Sequence, residues 1–276
     1  MSIENNGEVL LGRVEGLLSD MGPIIVAVSG GVDSMTLAII AHRSSSKARI
    51  VHAVSPAVPL AATERVRFFG KTEGWIVDEI NAGEFVNSDY IKNPINRCYY
   101  CKTHLYRAIA KHSFNSDKAT TILSGTNVDD LSDYRPGLHA AQEYNVRHPY
   151  VEVGIDKAAV RALATILEFP TLSALPASPC LSSRVETGLP IESKILSTID
   201  EIETMLRDEL KPETVRCRYR STGFVVELDK HSLEGLSLTS QRAFLRKIEV
   251  KVQRSGLERE ESIRFSVYKM GSAFRH

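Results

Sequence analysis

The chain has 276 residues, 43% of them hydrophobic and 25% charged, which is ordinary globular composition and enough to build one large core or a large and a small domain. Lysine plus arginine and aspartate plus glutamate each total 34, so the formal net charge of +0 gives no bulk attraction to nucleic acid or anionic membrane. The four cysteines are too few for a disulfide scaffold, and no apolar run or leader-like N-terminus is present, so a cytoplasmic location is expected.

Residues 5–20 read as an amphipathic helix stopped near Gly22-Pro23. "IIVAVS" (24–29) is a strand, followed by "GGVDS" and an apolar helix. Strands are further expected at 48–56, 75–80 and 119–127, with helices over 62–74, 98–112 and 157–169. Strands alternating with helices predict an α/β fold with a doubly wound parallel sheet. The pattern changes near Gly188-Leu189-Pro190. A long helix (191–209), two alternating strands "TVRCRYR" and "GFVVELD", a helix (232–246) and further short strands follow. The expected domains are therefore 1–188 and a smaller α+β unit at 189–276.

"SGGVDS" (29–34) lies between a predicted strand and a predicted helix. Gly30 and Gly31 let the backbone turn tightly and approach a ligand, and the helix start offers N–H groups to an anion. Ser29 and Ser34 add hydroxyls, with Asp33 between them. The loop is neither a Walker A sequence nor a G-x-G-x-x-G turn. An ordinary turn capped at Asp33 or Ser34 is the plainer account. The end of the second strand, with Ser55, lies at the carboxyl edge where open α/β sheets bind ligands. "SGTNVDD" repeats the strand-then-glycine arrangement at Gly125, with Asp129 or Asp130 able to hold a hydroxyl or position magnesium. A solvated turn formed by Asp129, Asp130 and Asp133 is the bland alternative.

Cys98 and Cys101 stand two residues apart in "RCYYCK", at the start of the predicted helix. Three uses compete: a redox dithiol, half of a zinc site, or a set completed by the distant Cys180 of "PCLSSR". The loop-like "SDYIKNPINR" before the pair is unlike a thioredoxin strand, and no second closely spaced pair exists for zinc. Cys217 alternates along a strand and is expected to pack, with Arg216 and Arg218 on the opposite face. Arg135 and Arg184 are candidate phosphate clamps because guanidinium binds phosphate through paired hydrogen bonds.

The loop resembles the PP-loop of the N-type ATP pyrophosphatases, enzymes that adenylate a substrate and release pyrophosphate. "GTNVDD", "DYRPG", "RCYYCK" and "PCLSSR" are together similar to the sulfur-transferase branch related to the pyridinium-3,5-bisthiocarboxylate mononucleotide synthases, which supply sulfur for a nickel-pincer nucleotide cofactor. The resemblance spans about residues 20–230. It implies an adenine nucleotide alpha-hydrolase-like fold, a PP-loop domain followed by a substrate-binding or oligomerisation domain, and a homo-oligomer. ATP and Mg2+ would bind over Ser29, Gly30, Gly31, Asp33 and Ser34, with Ser55, Gly125, Asp130, Ser183 and Arg184 around the nucleotide. Asp33, Arg184 and Cys180 would act in the reaction, and Arg216 and Arg218 would grip the phosphate of a carboxylated pyridinium mononucleotide.

Some members of that branch carry only the cysteine matching Cys180, which resembles a sacrificial sulfur donor ending as dehydroalanine. Others carry matches to Cys98, Cys101 and Cys180 and look like [4Fe–4S] enzymes with one iron open for sulfide. This chain has all three, which favours the cluster. "SRVETG" and the C-terminal "YKMGSAFRH" depart from the family pattern where the organic substrate would sit. A tRNA thiolase is the alternative enzyme, opposed by the neutral charge. A non-catalytic nucleotide-binding protein is the alternative outside enzymology.

Overall fold

A computed structural model describes residues 3–45, 48–113, 120–132, 135–257 and 263–269. Its contacts divide the chain into two compact units, Met1–Glu84 with Cys98–Ser178, and Phe85–Arg97 with Pro179–His276.

The first unit is built on four parallel strands, β1 (Ile24–Val28), β2 (Ala48–Ala53), β3 (Val77–Ile80) and β4 (Thr121–Ser124), in the order β3-β2-β1-β4. Every residue of β1 but Ala27 is buried, as expected of a central strand covered on both faces. Alternation divides its side chains between two cores. Ile24, Val26 and Val28 join α1 (Ile3–Ser19), α2 (Val32–Ser44), α3 (Leu60–Glu73) and, from further along the chain, a helix at Lys157–Ile166. Ile25 faces the second core, made with Tyr106 and Ile109 of α4 (Arg97–Ser113) and with Ala140 and Ala141 of α5 (Pro136–Glu143). The Lys157–Ile166 helix is α6. The doubly wound sheet predicted by the strand–helix alternation is thus the fold of this unit.

The strand order reverses at β1. The chain moves outward through β2 and β3, then returns to place β4 on the other side of β1. The carboxyl ends of β1 and β4 therefore flank a topological switch point, the place where such sheets bind ligands.

The second unit holds a three-stranded sheet in which β5 (Val215–Arg220) pairs antiparallel with β6 (Gly223–Leu228), and β6 pairs parallel with β7 (Arg264–Val267). Two long helices accompany it, α7 (Ser193–Leu210) and α8 (Leu238–Arg254), with α7 against β5. The helix expected at 232–246 is replaced by a short helix at Lys230–Glu234 and by α8. Each has its own cap: the Asp229 carboxylate accepts from the Ser232 amide at 2.9 Å, and the Ser237 hydroxyl from the Ser240 amide at 3.1 Å.

The expected boundary at 188/189 compares with a division at Ser178/Pro179. Residues after Pro179 are tied into the second unit by a bridge between Val185 and Tyr219 and by the Glu186 amide on the Tyr219 carbonyl at 2.8 Å. Asn93 joins the same unit: its side-chain amide donates to the Glu186 carbonyl at 2.8 Å, and its carbonyl accepts from the Gly188 amide at 3.0 Å. Asp133 and the tail 270–276 lie outside the described residues. No helix among the described residues is long and apolar enough to cross a membrane.

Candidate functional site

The loop at Ser29–Ser34 leaves β1 and enters α2 under tight constraint. Gly30 has φ +78°, and a Cβ there would lie 2.7 Å from the Ala62 carbonyl oxygen, so both torsion and space demand glycine. Gly31 caps α2 without a side-chain bond. Inside the loop the Ser34 hydroxyl accepts from the Ser29 amide at 3.1 Å, donates to the Gly31 carbonyl at 3.2 Å and lies 3.2 Å from the Ser29 hydroxyl. Arg65 of α3 donates to the Gly30 carbonyl at 2.6 Å. The first-turn amides of α2, which have no acceptor within the helix, make a place for an anion.

Gly125, at the end of β4, closes the arrangement. A Cβ on it would come within 2.7 Å of the Ser34 amide nitrogen and 2.8 Å of the Asp33 carbonyl carbon. The end of β4 thus abuts the backbone of the first turn of α2. Ser55, after β2, is partly buried and its hydroxyl accepts from the Ala57 amide at 3.3 Å.

Asp33 is held by residues that the sequence pattern did not single out. Its carboxylate accepts from the Asn127 side-chain amide at 3.1 Å and pairs with the Lys157 ammonium, and its carbonyl accepts from the Tyr150 hydroxyl at 3.3 Å. Burial, with the Asp33 charge nearby, pushes the Tyr150 phenol well above its ordinary value, so it stays a donor. Asn127 caps the turn Val128–Leu131, and Asp130 returns a bond to the Asn127 amide at 3.1 Å and pairs with Arg135 at 2.7 Å. The Asp129 carboxylate accepts from the Lys157 amide at 3.0 Å. The signal for Asn127 was present in "TNVDD", a capping box, whereas Lys157 only follows the cap Asp156 of α6.

A buried histidine and a partly buried one brace the carboxyl edge. His52 lies between the Val28 carbonyl, 2.9 Å from Nδ1, and the Thr63 hydroxyl, 3.0 Å from Nε2. His148 lies 3.1 Å from the Ser124 hydroxyl. Burial lowers both below the ordinary imidazole value and keeps them neutral.

Cys98 and Cys101 sit in the opening turns of α4, Cys98 exposed and Cys101 partly buried. Helix α5 approaches closely here, since a Cβ on Gly137 would lie 3.0 Å from Lys102 Cγ and 3.6 Å from the Cys98 carbonyl oxygen. Cys180 belongs to the other unit and is exposed. Neither unit by itself gathers the three thiolates of the expected [4Fe–4S] site. Among the described residues no group of three or more His, Cys, Asp or Glu side chains is arranged to hold a metal ion.

In the second unit, "PCLSSR" forms a short turn held by buried charge. Arg184 is 1% exposed and clasps Glu203 through Nε at 2.9 Å and Nη2 at 3.1 Å. Its Nη1 lies within hydrogen-bonding distance of the Pro179 carbonyl (2.8 Å), the Ser183 hydroxyl (3.0 Å) and the Cys180 carbonyl (3.3 Å). The guanidinium expected to clamp a phosphate is, in the structure, the staple of its own loop. Ser183 donates its hydroxyl to the Cys180 carbonyl at 2.8 Å. Arg218 is buried, bonded to Glu227 at 3.0 Å and to the Ser183 carbonyl at 2.9 Å. Arg216 donates to its neighbour's carbonyl at 2.7 Å and lies over the Tyr268 ring at 5.9 Å. Burial, with Arg184 nearby, lowers its affinity for its proton. Cys217 is fully buried, and burial pushes its thiol well up, in keeping with a packing role.

The chain matches no established family profile. It is 32% identical over 230 residues to the uncharacterized protein slr1717 of Synechocystis sp., covering 82% of this chain and 85% of that one. It is 30% identical over 220 residues to the uncharacterized protein MJ0830 of Methanocaldococcus jannaschii, covering 75% and 77%. It is also 28% identical over 218 residues to the pyridinium-3,5-bisthiocarboxylic acid mononucleotide synthase of Lactiplantibacillus plantarum, covering 76% of each chain.

Proposed function

Because the chain belongs to the family of slr1717 and MJ0830 and is a distant homologue of the Lactiplantibacillus synthase, we propose that it is an ATP-dependent sulfur transferase of the PP-loop superfamily acting on a carboxylated pyridinium mononucleotide or a similar small molecule. The observation that carries this reading is the contact of Gly125 with the backbone of Asp33 and Ser34, which joins the anion loop to the second strand end at the switch point.

In this reading the first unit performs adenylation. ATP binds over Ser29–Ser34, where the first-turn amides and the two serine hydroxyls receive the phosphates. Asp33 would hold the magnesium ion, which neutralises charge on the phosphates when bound. Asp130 is engaged by the Asn127 amide and Arg135, and Asp33 by the Asn127 side-chain amide and Lys157, so magnesium would take the place of Lys157 on Asp33. Lys157, released from Asp33 by that exchange, becomes available to the departing pyrophosphate. The substrate carboxylate displaces pyrophosphate from the α-phosphorus, and the protein contributes alignment and fixed positive charge.

Sulfur transfer is assigned to Cys180 of the second unit. Its thiolate attacks the acyl carbonyl and AMP leaves, giving a thioester. Cleavage of the Cys180 Cβ–S bond, with loss of its α-proton to a base, gives the thiocarboxylate and leaves dehydroalanine. Arg216 is the candidate for the substrate phosphate. Incubation with ATP, magnesium and a carboxylated pyridinium mononucleotide should release pyrophosphate and AMP and lower the protein mass by one hydrogen sulfide. Absence of pyrophosphate with every such substrate would sink the proposal.

A further inference from the structure

We infer that Glu203 is a positioning residue for Cys180 and acts on it through Arg184. The inference rests on the reading of Cys180 as the thiol that gives up sulfur. Glu203 lies on the buried stripe of α7, among Ile195, Ile199, Ile202 and Leu206, and is itself 0% exposed. Four donors saturate its carboxylate: Arg184 Nε at 2.9 Å, Arg184 Nη2 at 3.1 Å, Arg207 Nη2 at 2.6 Å and the Cys217 amide at 3.0 Å. Burial alone would raise this carboxyl, but the guanidinium groups of Arg184 and Arg207 and the Cys217 amide hold it below its ordinary value. It remains ionised, and so it fixes the plane of the Arg184 guanidinium.

That plane decides where the opposite edge of Arg184 points. Nη1 faces the carbonyls of Pro179 and Cys180 and the Ser183 hydroxyl. The Cys180 carbonyl thereby receives three donors, Arg184 Nη1, the Ser183 hydroxyl and the Ser183 amide at 3.0 Å. Two further anchors grip the following residues, Tyr90 with its hydroxyl 2.7 Å from Ser182 Oγ, and Arg218 on the Ser183 carbonyl. The backbone of Cys180 is fixed while its side chain remains exposed. An attacking thiolate needs this combination, since a displacement of about 1 Å in a reacting group lowers rates by about 10²-fold.

The experiment compares the intact protein with Glu203→Gln, measuring pyrophosphate release, single-turnover conversion of Cys180 to dehydroalanine with formation of thiocarboxylate, thermal midpoint and amide exchange at Ser183 and Val185. Sulfur transfer should fall by about 10²-fold while the KM for ATP and pyrophosphate release stay unchanged. A transfer rate that does not change, or that falls only in step with pyrophosphate release and the folded fraction, overturns the inference. Because Glu203→Gln removes a buried charge and can fail to fold, Glu203→Asp is made alongside. It keeps the charge but shortens the reach, and should slow transfer without slowing pyrophosphate release; unchanged transfer in this variant also overturns the inference. If the intact protein loses no sulfur at all, it is the reading of Cys180 that fails. The hold of Glu203 on the loop is then decided by exchange at the Ser183 and Val185 amides, faster exchange in Glu203→Asp supporting it and unchanged exchange overturning it.

Discussion

The ammonium of Lys157, at the first residue of α6, rests on the carboxylate of Asp33, in the first turn of α2. Two helix starts that are far apart in the chain are thus cross-linked at the edge of the anion loop. Both side chains are partly exposed, so the pair adds little to stability, about 0–1 kcal/mol. In the proposed reaction it would place a cation where pyrophosphate leaves. Lys157→Met should therefore leave the thermal midpoint nearly unchanged and lower ATP-dependent pyrophosphate release by about 10²-fold, the cost of losing one donor to developing charge. A normal rate of release in this variant would remove Lys157 from the mechanism.

Gly125→Ala tests the junction of β4 with the first turn of α2. Its methyl group would lie 2.7 Å from the Ser34 amide nitrogen, in backbone that cannot yield as a flexible side chain could. The substitution should destabilise the protein by about 1–3 kcal/mol. It should also weaken ATP binding, measured by calorimetry, because the displaced atoms belong to the anion loop.

The two cysteines of the second unit should separate by function. Cys180→Ala is expected to keep pyrophosphate release and abolish thiocarboxylate formation. Cys217→Ala should keep both activities and cost about 1 kcal/mol for the buried sulfur. Quantifying pyrophosphate and thiocarboxylate in parallel distinguishes the two, and thiocarboxylate from Cys180→Ala would show that another group carries the sulfur.

Acid should weaken the fold before the carboxylates titrate. His52 and His148 are held below 6.5 by burial, so between their lowered values and 6.5 the unfolded chain binds more protons than the folded one. Their contribution is complete above 6.5 and is lost as pH falls through that window. Urea titrations between about pH 7.5 and about pH 5 should show declining stability. His52→Gln should flatten the decline, and an equal slope in both proteins would assign the loss elsewhere.

The parallel sheet was legible because β1 and β2 are apolar runs closed by glycine or proline turns, and because period-3.6 patterns separate them. The tight turn between β1 and α2 was legible for a similar reason: glycines at 30 and 31 stand directly between an apolar run and a helical pattern. Partners brought in from far along the chain were not. Nothing local to Lys157 or Tyr150 reveals that both reach Asp33, more than a hundred residues earlier. Glu203 did carry a signal, an acidic residue within the apolar stripe of α7, where only a buried cation could make it tolerable. Arg184 illustrates the opposite case. Its residue type suits a phosphate, but the distant glutamate determines what the guanidinium faces.

Asn93 and Tyr90 lie in a segment, Phe85–Arg97, that belongs with residues 179 and beyond. During synthesis this segment leaves the ribosome long before the strands and turn it binds. The sheet of the first unit can assemble behind it, from residues up to Ser178, while Asn93 and Tyr90 wait for Glu186 and Ser182. A gene fragment beginning at residue 179 would lack both side chains, so the smaller unit could not be cut out and moved to another protein as a single continuous piece.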